Sequence, residues 1–469
     1  MEIYEASEGG KKMGKIAGAF IFPHPPIMVE EVGGSEAKKV SNSVAGALEA
    51  SERIAEIKPD VIVLITPHGA MYEDAMVIAA DERLEGSLAR FGAPGTKLSF
   101  DNDLELADKI MEQADKKQAY CIPMHEDVKK TYRVAPGIDH GAMVPLYFVS
   151  KKYRHFKLVH ITYSLLSREQ HYKLGIAIRD AVAELDRRAV IIASGDLSHR
   201  LTKNAPAGFN PRGEEYDKKY MKIIKEGDVT GLLSMPADLL EAAGECAYNS
   251  TVVLMGCLDG CSVKGEIISY EGPFGVGYCV AEIHAEACTD KKTVKSSDPY
   301  VQLAIDTLEA YVRTGRKIDV PEGLPDEMNT RRAGVFVSLK KYGELRGCIG
   351  TIKPTTKNIA MEIIQNAISA GTRDPRFLPV EESELSELFY SVDVLGEPEP
   401  INTKDELDVK RYGVIVRSGY KSGLLLPNLE GVDTVDYQVS IALQKAGIRP
   451  GEPYKMERFE VIRHYQHME

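Results

Sequence analysis

Two apolar runs in this chain end alike. Residues 60–70 read DVIVLITPHGA and residues 18–26 read GAFIFPHPP, so each run of apolar and β-branched residues stops on Pro-His. A short apolar run bounded by proline and glycine reads as a buried strand. Proline cannot donate to a strand ladder, so the strand stops there and the histidine stands at its carboxyl end. Between the two runs Val40, Val44 and Leu48 recur four apart, with Ile54 near the same face. That is helical spacing. Strand, helix and strand in this order make a βαβ unit and therefore a parallel pair.

The same grammar continues along the chain. Residues 156–164 and 188–199 read as strands, and 168–185 between them has helical spacing. Residues 265–283 read as a hairpin turning on Glu-Gly-Pro-Phe-Gly. The expected first domain is α/β, a mainly parallel sheet flanked by helices with an antiparallel edge.

A chain of 469 residues exceeds a single core and implies two or three domains. The polar stretch 286–300, EACTDKKTVKSSDPY, is the expected break. It ends in Asp298-Pro299, an N-cap followed by proline at the first helical position. The expected domains are 13–287 and 297–469, the second a smaller α+β unit. Residues 1–12 read as unrelated to the rest of the chain, which makes Met13 the expected start.

Composition narrows the function. A net charge of −12 argues against nucleic acid or an anionic membrane as the main partner. No apolar run reaches the length of a membrane span, and the amino terminus has no convincing signal peptide. The seven cysteines form no CxxC pair. CLDGC at 257–261 is a weak metal signal, and free or buried thiols in a reducing cytoplasm are the expectation.

In open α/β sheets ligands bind at the carboxyl ends of parallel strands. Three such ends carry histidines: His24, His68 and His199, the last closing SGDLSH. Each alone has an ordinary alternative as a loop or capping residue; three on one sheet edge are harder to reach by chance. His140, in GIDHGAMVPLYF, is a fourth candidate between two glycines, and a turn residue is its alternative. A metal site also needs a charged ligand. Glu245 and Cys246 fall at a break between two short helical segments, 236–243 and 247–257. The alternative for Glu245 is a solvated N-terminal glutamate favoured by the helix dipole. Two histidines and one carboxylate make the facial triad of non-haem Fe(II) oxygenases.

PHPP, TPHG, DHGAMVPL and SGDLSH, in this order over roughly 14–285, resemble the motif series of the class III extradiol ring-cleaving dioxygenases, B-type subunit; Memo proteins look like more distant relatives. The resemblance implies Fe(II) on His24, His68 and Glu245, His199 as acid/base, and His140 against substrate or bound oxygen. It further implies cleavage of a small catechol-like aromatic substrate with O2. Memo-type proteins have cysteine as the corresponding group, and Cys246 fits that alignment at least as well. A thiolate there would favour copper or zinc over Fe(II).

LRGCIGT at 345–351, TRDPRFLPV at 372–380 and GLLLPNLEG at 423–431 resemble the AMMECR family over 297–466. Gly347 and Gly350 permit close backbone approach or positive φ. Arg346 offers a forked donor, Cys348 is a nucleophile only with a base nearby, and Arg373, Asp374 and Arg376 pair together or line the same groove. The fusion resembles the AmmeMemoRadiSam set, which implies a radical SAM pathway partner. A cytoplasmic Fe(II) dioxygenase, as a homodimer, is the leading expectation. A Memo-like, non-enzymatic metal-binding regulator and a metal-dependent hydrolase are the competitors.

Overall fold

The computed structural model describes residues 15–466 except 132, 133, 135, 136, 287–295 and 430. Met13 and most of the 286–300 break lie outside the described residues. The chain divides into two compact units, with the boundary between Asp290 and Lys291.

The first unit is built on one eight-stranded sheet. Its strands are β1 (Lys15–Phe22), β2 (Val61–Thr66), β3 (Met76–Ala79), β6 (Cys121–Met124), β7 (Lys157–Thr162), β8 (Arg188–Ser194), β9 (Ser262–Glu271) and β10 (Tyr278–Glu286). Their order is β6-β3-β7-β2-β8-β1-β10-β9. β7, β2, β8 and β1 run parallel, so their carboxyl ends share one edge. β10 and β9 add the antiparallel edge expected from the hairpin pattern. The opposite side was not legible: β3 runs antiparallel to β7 and carries β6 beside it. A separate hairpin, β4 (Arg83–Leu88) and β5 (Ala93–Asp101), was also missed. Those strands are short or exposed on alternate residues, so they lack the continuous apolar run that marks β2.

β2 and β8 are buried on both faces because helices cover both. Phe20, Phe22, Ile62, Leu64, Val190 and Ile192 form one core cluster under the helices Ser41–Ile57 and His140–Lys152. Val40 and Ile54 are buried in that cluster, with Val44 and Leu48 packed against it, as their spacing predicted. Alternate side chains point the other way. There the helices Arg168–Glu184 and Tyr248–Cys257 pack on each other and on β8 and β1. Each fully buried Leu or Ile in such a core contributes about 1.5–3 kcal/mol.

The second unit holds two four-stranded sheets. The first comprises β11 (Val335–Lys341), β12 (Glu344–Gly350), β13 (Leu388–Leu395) and β18 (Val461–Tyr465), in the order β12-β11-β13-β18. The second comprises β14 (Glu399–Ile401), β15 (Gly413–Ser418), β16 (Lys421–Leu425) and β17 (Lys455–Phe459). The helix Pro299–Thr314 starts as the sequence indicates: the Asp298 carboxylate accepts from Tyr300 N–H and Val301 N–H, with proline at the first helical position. It packs on Ile359–Thr372 and on β13.

One expectation is corrected. Cys121, Cys246, Cys257, Cys279 and Cys348 are free, but Cys261 is disulfide-bonded. Pairing needs Cα atoms within about 7 Å, which sequence spacing does not reveal.

Candidate metal centre

The site lies where the parallel strands end. His24 follows β1, His68 follows β2 and the 195–199 loop follows β8, and these three strands are neighbours. His24 Nε2 and His68 Nε2 stand 2.9 Å apart. The His140 ring stacks on His68 at 4.3 Å and meets His24 edge-on at 5.5 Å. All four histidines are thus in one place, with His199 Nε2 3.7 Å from the Cys246 sulfur. That sulfur is also 3.7 Å from His24 Nε2.

The third candidate ligand splits cleanly between two adjacent residues. Cys246 Sγ stands with His24 and His68, the three ligand atoms lying within 4.8 Å of one another. The Glu245 carboxylate turns aside and accepts from Tyr248 N–H at 2.6 Å, at the start of helix Tyr248–Cys257. Glu245 therefore sits at the helix terminus of its alternative reading, but buried rather than solvated, and it is Cys246 whose ligand atom groups with those of His24 and His68. The turn is tightly constrained. A Cβ at Gly195 would lie 2.2 Å from Ala247 Cα, so only glycine lets the β8 loop touch the Cys246 loop. Cys246 N–H donates to Asp196 O, Asp196 N–H points at the sulfur at 3.3 Å, and the Tyr163 hydroxyl donates to Cys246 O.

Hydrogen bonding fixes the tautomer of His24. The Ser194 hydroxyl donates to Gly141 O, so its oxygen accepts from His24 Nδ1–H, 2.9 Å away. The Nε2 lone pair is then free to face His68 and the sulfur, the state a metal ligand requires. Burial, reinforced by His68 and His140, drives the His24 pKa well down, and burial lowers His68 to about 4. Both are neutral at pH 7. Burial pushes the Cys246 thiol well up, so without an ion the sulfur keeps its proton. Two imidazole lone pairs and one thiol, held by outer hydrogen bonds, fit a transition-metal ion.

Three contributors were missed. Asp196 accepts from His24 N–H at 2.9 Å, and burial lifts its carboxyl to about 7. Asp139 accepts from Thr66 Oγ1 and faces His160 Nε2 at 2.9 Å. Asp139 and Asp196 sit inside the DHG and SGDLSH motifs, which was signal enough; His160, inside a strand, offered none.

The motif residues of the second unit form a different kind of cluster. Cys348 N–H donates to Asp374 Oδ2 at 2.9 Å, and Arg376 grips the same carboxylate through Nε at 2.9 Å and Nη2 at 2.6 Å. The Ser338 hydroxyl donates to Cys348 Sγ, and burial raises that thiol's pKa. Arg346 pairs with Glu384 and donates to Leu378 O, while Arg373 is exposed. Gly347 and Gly350 have negative φ and serve close approach: a Cβ on Gly347 would lie 2.2 Å from Ala370 O. His464 faces Asp298 and stacks on Tyr300, so it is no base for Cys348.

Among the described residues no helix is long and apolar enough to cross a membrane. Residues 18–281 match the family model described as the catalytic LigB subunit of aromatic ring-opening dioxygenase, and 301–465 match AMMECR1. A protein of Clostridium acetobutylicum is 46% identical over 462 residues, covering 95% of this chain and 98% of its own. A protein of Thermotoga maritima is 52% identical over 168 residues, 35% of this chain and 97% of its own. A crystal structure from Pyrococcus horikoshii, at 33% identity and TM-score 0.34, covers 36% of this chain and 92% of that one. One from Escherichia coli K12, at 14% identity and TM-score 0.35, covers 57% and 98%. The chain therefore belongs to the family of the catalytic LigB subunit of aromatic ring-opening dioxygenases, joined in one polypeptide to an AMMECR1 domain.

Proposed function

We propose that the first unit is a metal protein whose ion is held by His24, His68 and Cys246, and that copper or zinc is its ion ahead of Fe(II). The observation that carries this is the sulfur within 4.8 Å of two imidazole nitrogens, with the neighbouring carboxylate committed to a helix terminus. A thiolate beside imidazoles suits copper or zinc, whereas carboxylate ligation suits oxygenase iron.

Held by these three residues, zinc would supply Lewis-acid polarisation of a small ligand, and copper would supply electron exchange as well. The chain's own groups do the rest. His199 Nε2, beside the sulfur and neutral at pH 7 because burial lowers its pKa, is the acceptor for a ligand proton. His140, stacked on His68, forms a second wall of the site. Phe91 lies 5.1 Å from the His140 ring and closes that side with apolar surface.

A second reading, extradiol cleavage of a small aromatic substrate by Fe(II) and O2, draws on the LigB family match and on His199 as the acid/base. It requires Glu245 to leave the Tyr248 amide. One experiment separates the two. Metal-free protein is offered Cu(I), Zn(II) and Fe(II) anaerobically, and oxygen uptake is then followed with a catechol panel. Tight Cu(I) or Zn(II) binding without oxygen uptake supports the first reading. Iron retention with oxygen uptake that His199→Gln abolishes overturns it in favour of the second.

A further inference from the structure

Asp139 spends its carboxylate in an unusual direction. It occupies the N-cap position of helix His140–Lys152, where an aspartate ordinarily bonds the helix N–H groups for about 1 kcal/mol, yet it makes no such bond. Both oxygens reach across the sheet instead. Oδ1 accepts from Thr66 Oγ1 at 2.7 Å, on β2, and Oδ2 meets His160 Nε2 at 2.9 Å, on β7. Thr66 Oγ1 in turn lies 3.3 Å from His68 N–H. The packing leaves no slack: a Cβ on Gly141 would come within 2.4 Å of Thr66 Oγ1 and 2.8 Å of Asp139 Oδ1.

We propose that His160 and Asp139 are a positioning pair for the metal centre. His160 holds Asp139, and Asp139, tied through Thr66, holds the loops of His68 and His140 at their stacked separation. The inference rests on reading His24, His68 and Cys246 as ligands. Asp139 adjoins His140, and its partners lie on the two strands behind His68, so one carboxylate governs both rings. A partly open cavity of about 70 Å³ borders His68, Asp139, His160 and Thr162. It is roomy enough for about two waters, so shortening His160 enlarges an existing space rather than collapsing a packed one.

The test uses Zn(II) affinity by chelator competition and the visible spectrum of the Co(II)-loaded full chain. Asp139→Asn and His160→Ala are expected to weaken Zn(II) about 10- to 100-fold, the usual loss for an outer partner of a ligand. Both shift the Co(II) bands. His160→Gln, whose amide N–H reaches the same carboxylate, restores affinity and spectrum. A merely structural pair would lower the thermal transition and leave the spectrum alone. If Asp139→Asn fails to fold, the two His160 variants decide. Variants that bind Zn(II) as tightly as the natural protein, with unaltered bands, overturn the proposal. If the natural protein takes no metal, the ligand reading falls. The pair is then judged in metal-free protein: His68 and His140 imidazole resonances moved by Asp139→Asn support it, and unmoved ones overturn it.

Discussion

Each unit of this protein carries a cysteine beside charged or titratable neighbours, and the two surroundings are opposites. Around Cys246 stand the imidazoles of His24 and His68, neutral at pH 7, whose ligand nitrogens converge with the sulfur, with Asp196 bonded behind them. Around Cys348 every charge is already answered: Arg376 and the Cys348 amide fill both oxygens of Asp374. The first is a set of donors that an ion completes. The second is a closed ion pair that braces the edge strand β12. Motif residues drawn together by a fold therefore indicate chemistry only when their bonding capacity is left open.

Cys246→Ser should break this contrast most strongly. Serine keeps the volume and removes the soft donor. Cu(I) and Zn(II) affinity should fall by more than the roughly 100-fold that loss of an outer partner costs. Proton release sharpens the same test. Burial keeps the free thiol protonated, so metal binding must expel that proton. Affinity of the natural protein should climb about tenfold per pH unit from pH 7 to 9, and the slope should vanish in Cys246→Ser. A serine variant that keeps both affinity and slope removes the sulfur from the site.

Asp374→Asn addresses the other side. Its carboxylate is 2% exposed while the Arg376 side chain is 53% exposed, so the buried partner carries most of the cost. The second unit should lose about 2 kcal/mol and metal affinity should not move. Arg376 holds the Asp374 pKa below the usual carboxylate range, against the opposing effect of burial. A depressed carboxyl contributes stability that is present above its unfolded value near 4 and is lost as pH falls through the folded value. Acid titration of the second unit's unfolding transition should show that loss in the natural protein and a flatter course in Asp374→Asn. A change in metal affinity would merge the two regions into one functional system.

Much of the site was legible because strand ends are legible. His24 and His68 follow apolar runs that stop at proline, and parallel topology alone forces such ends onto one edge. SGDLSH announced His199 in the same way. The failures are local. His160 lies within β7 as one letter of a buried run, and nothing in its neighbours tells that its ring reaches Asp139. Glu245 and Cys246 are neighbours at a helix break, and their order in sequence does not tell which one turns toward the imidazoles. Adjacent side chains there point to different sides, and no periodicity applies. The short strands β3 and β6 were missed because burial of β6 is partial and its pattern contains a proline.

Glu245→Gln has the smallest expected effect and probes that same ambiguity. Glutamine can still accept from Tyr248 N–H, and it stands outside the ligand set. Metal affinity should change by no more than about two- to threefold, the scale of a substitution that touches no ligand. Stability carries the clearer signal. Burial raises the Glu245 carboxyl from its ordinary 4.5 to about 7. A carboxyl raised on folding contributes stability that is full below its unfolded value and lost as pH rises through the folded one. The natural protein should therefore weaken between about pH 4.5 and 7, and Glu245→Gln should remove that part of the slope. A metal-ligating carboxylate predicts the reverse: it is ionised when bound, and its loss would cost affinity rather than flatten a stability curve. Collapse of metal binding in Glu245→Gln would restore the facial triad and return the site to oxygenase iron.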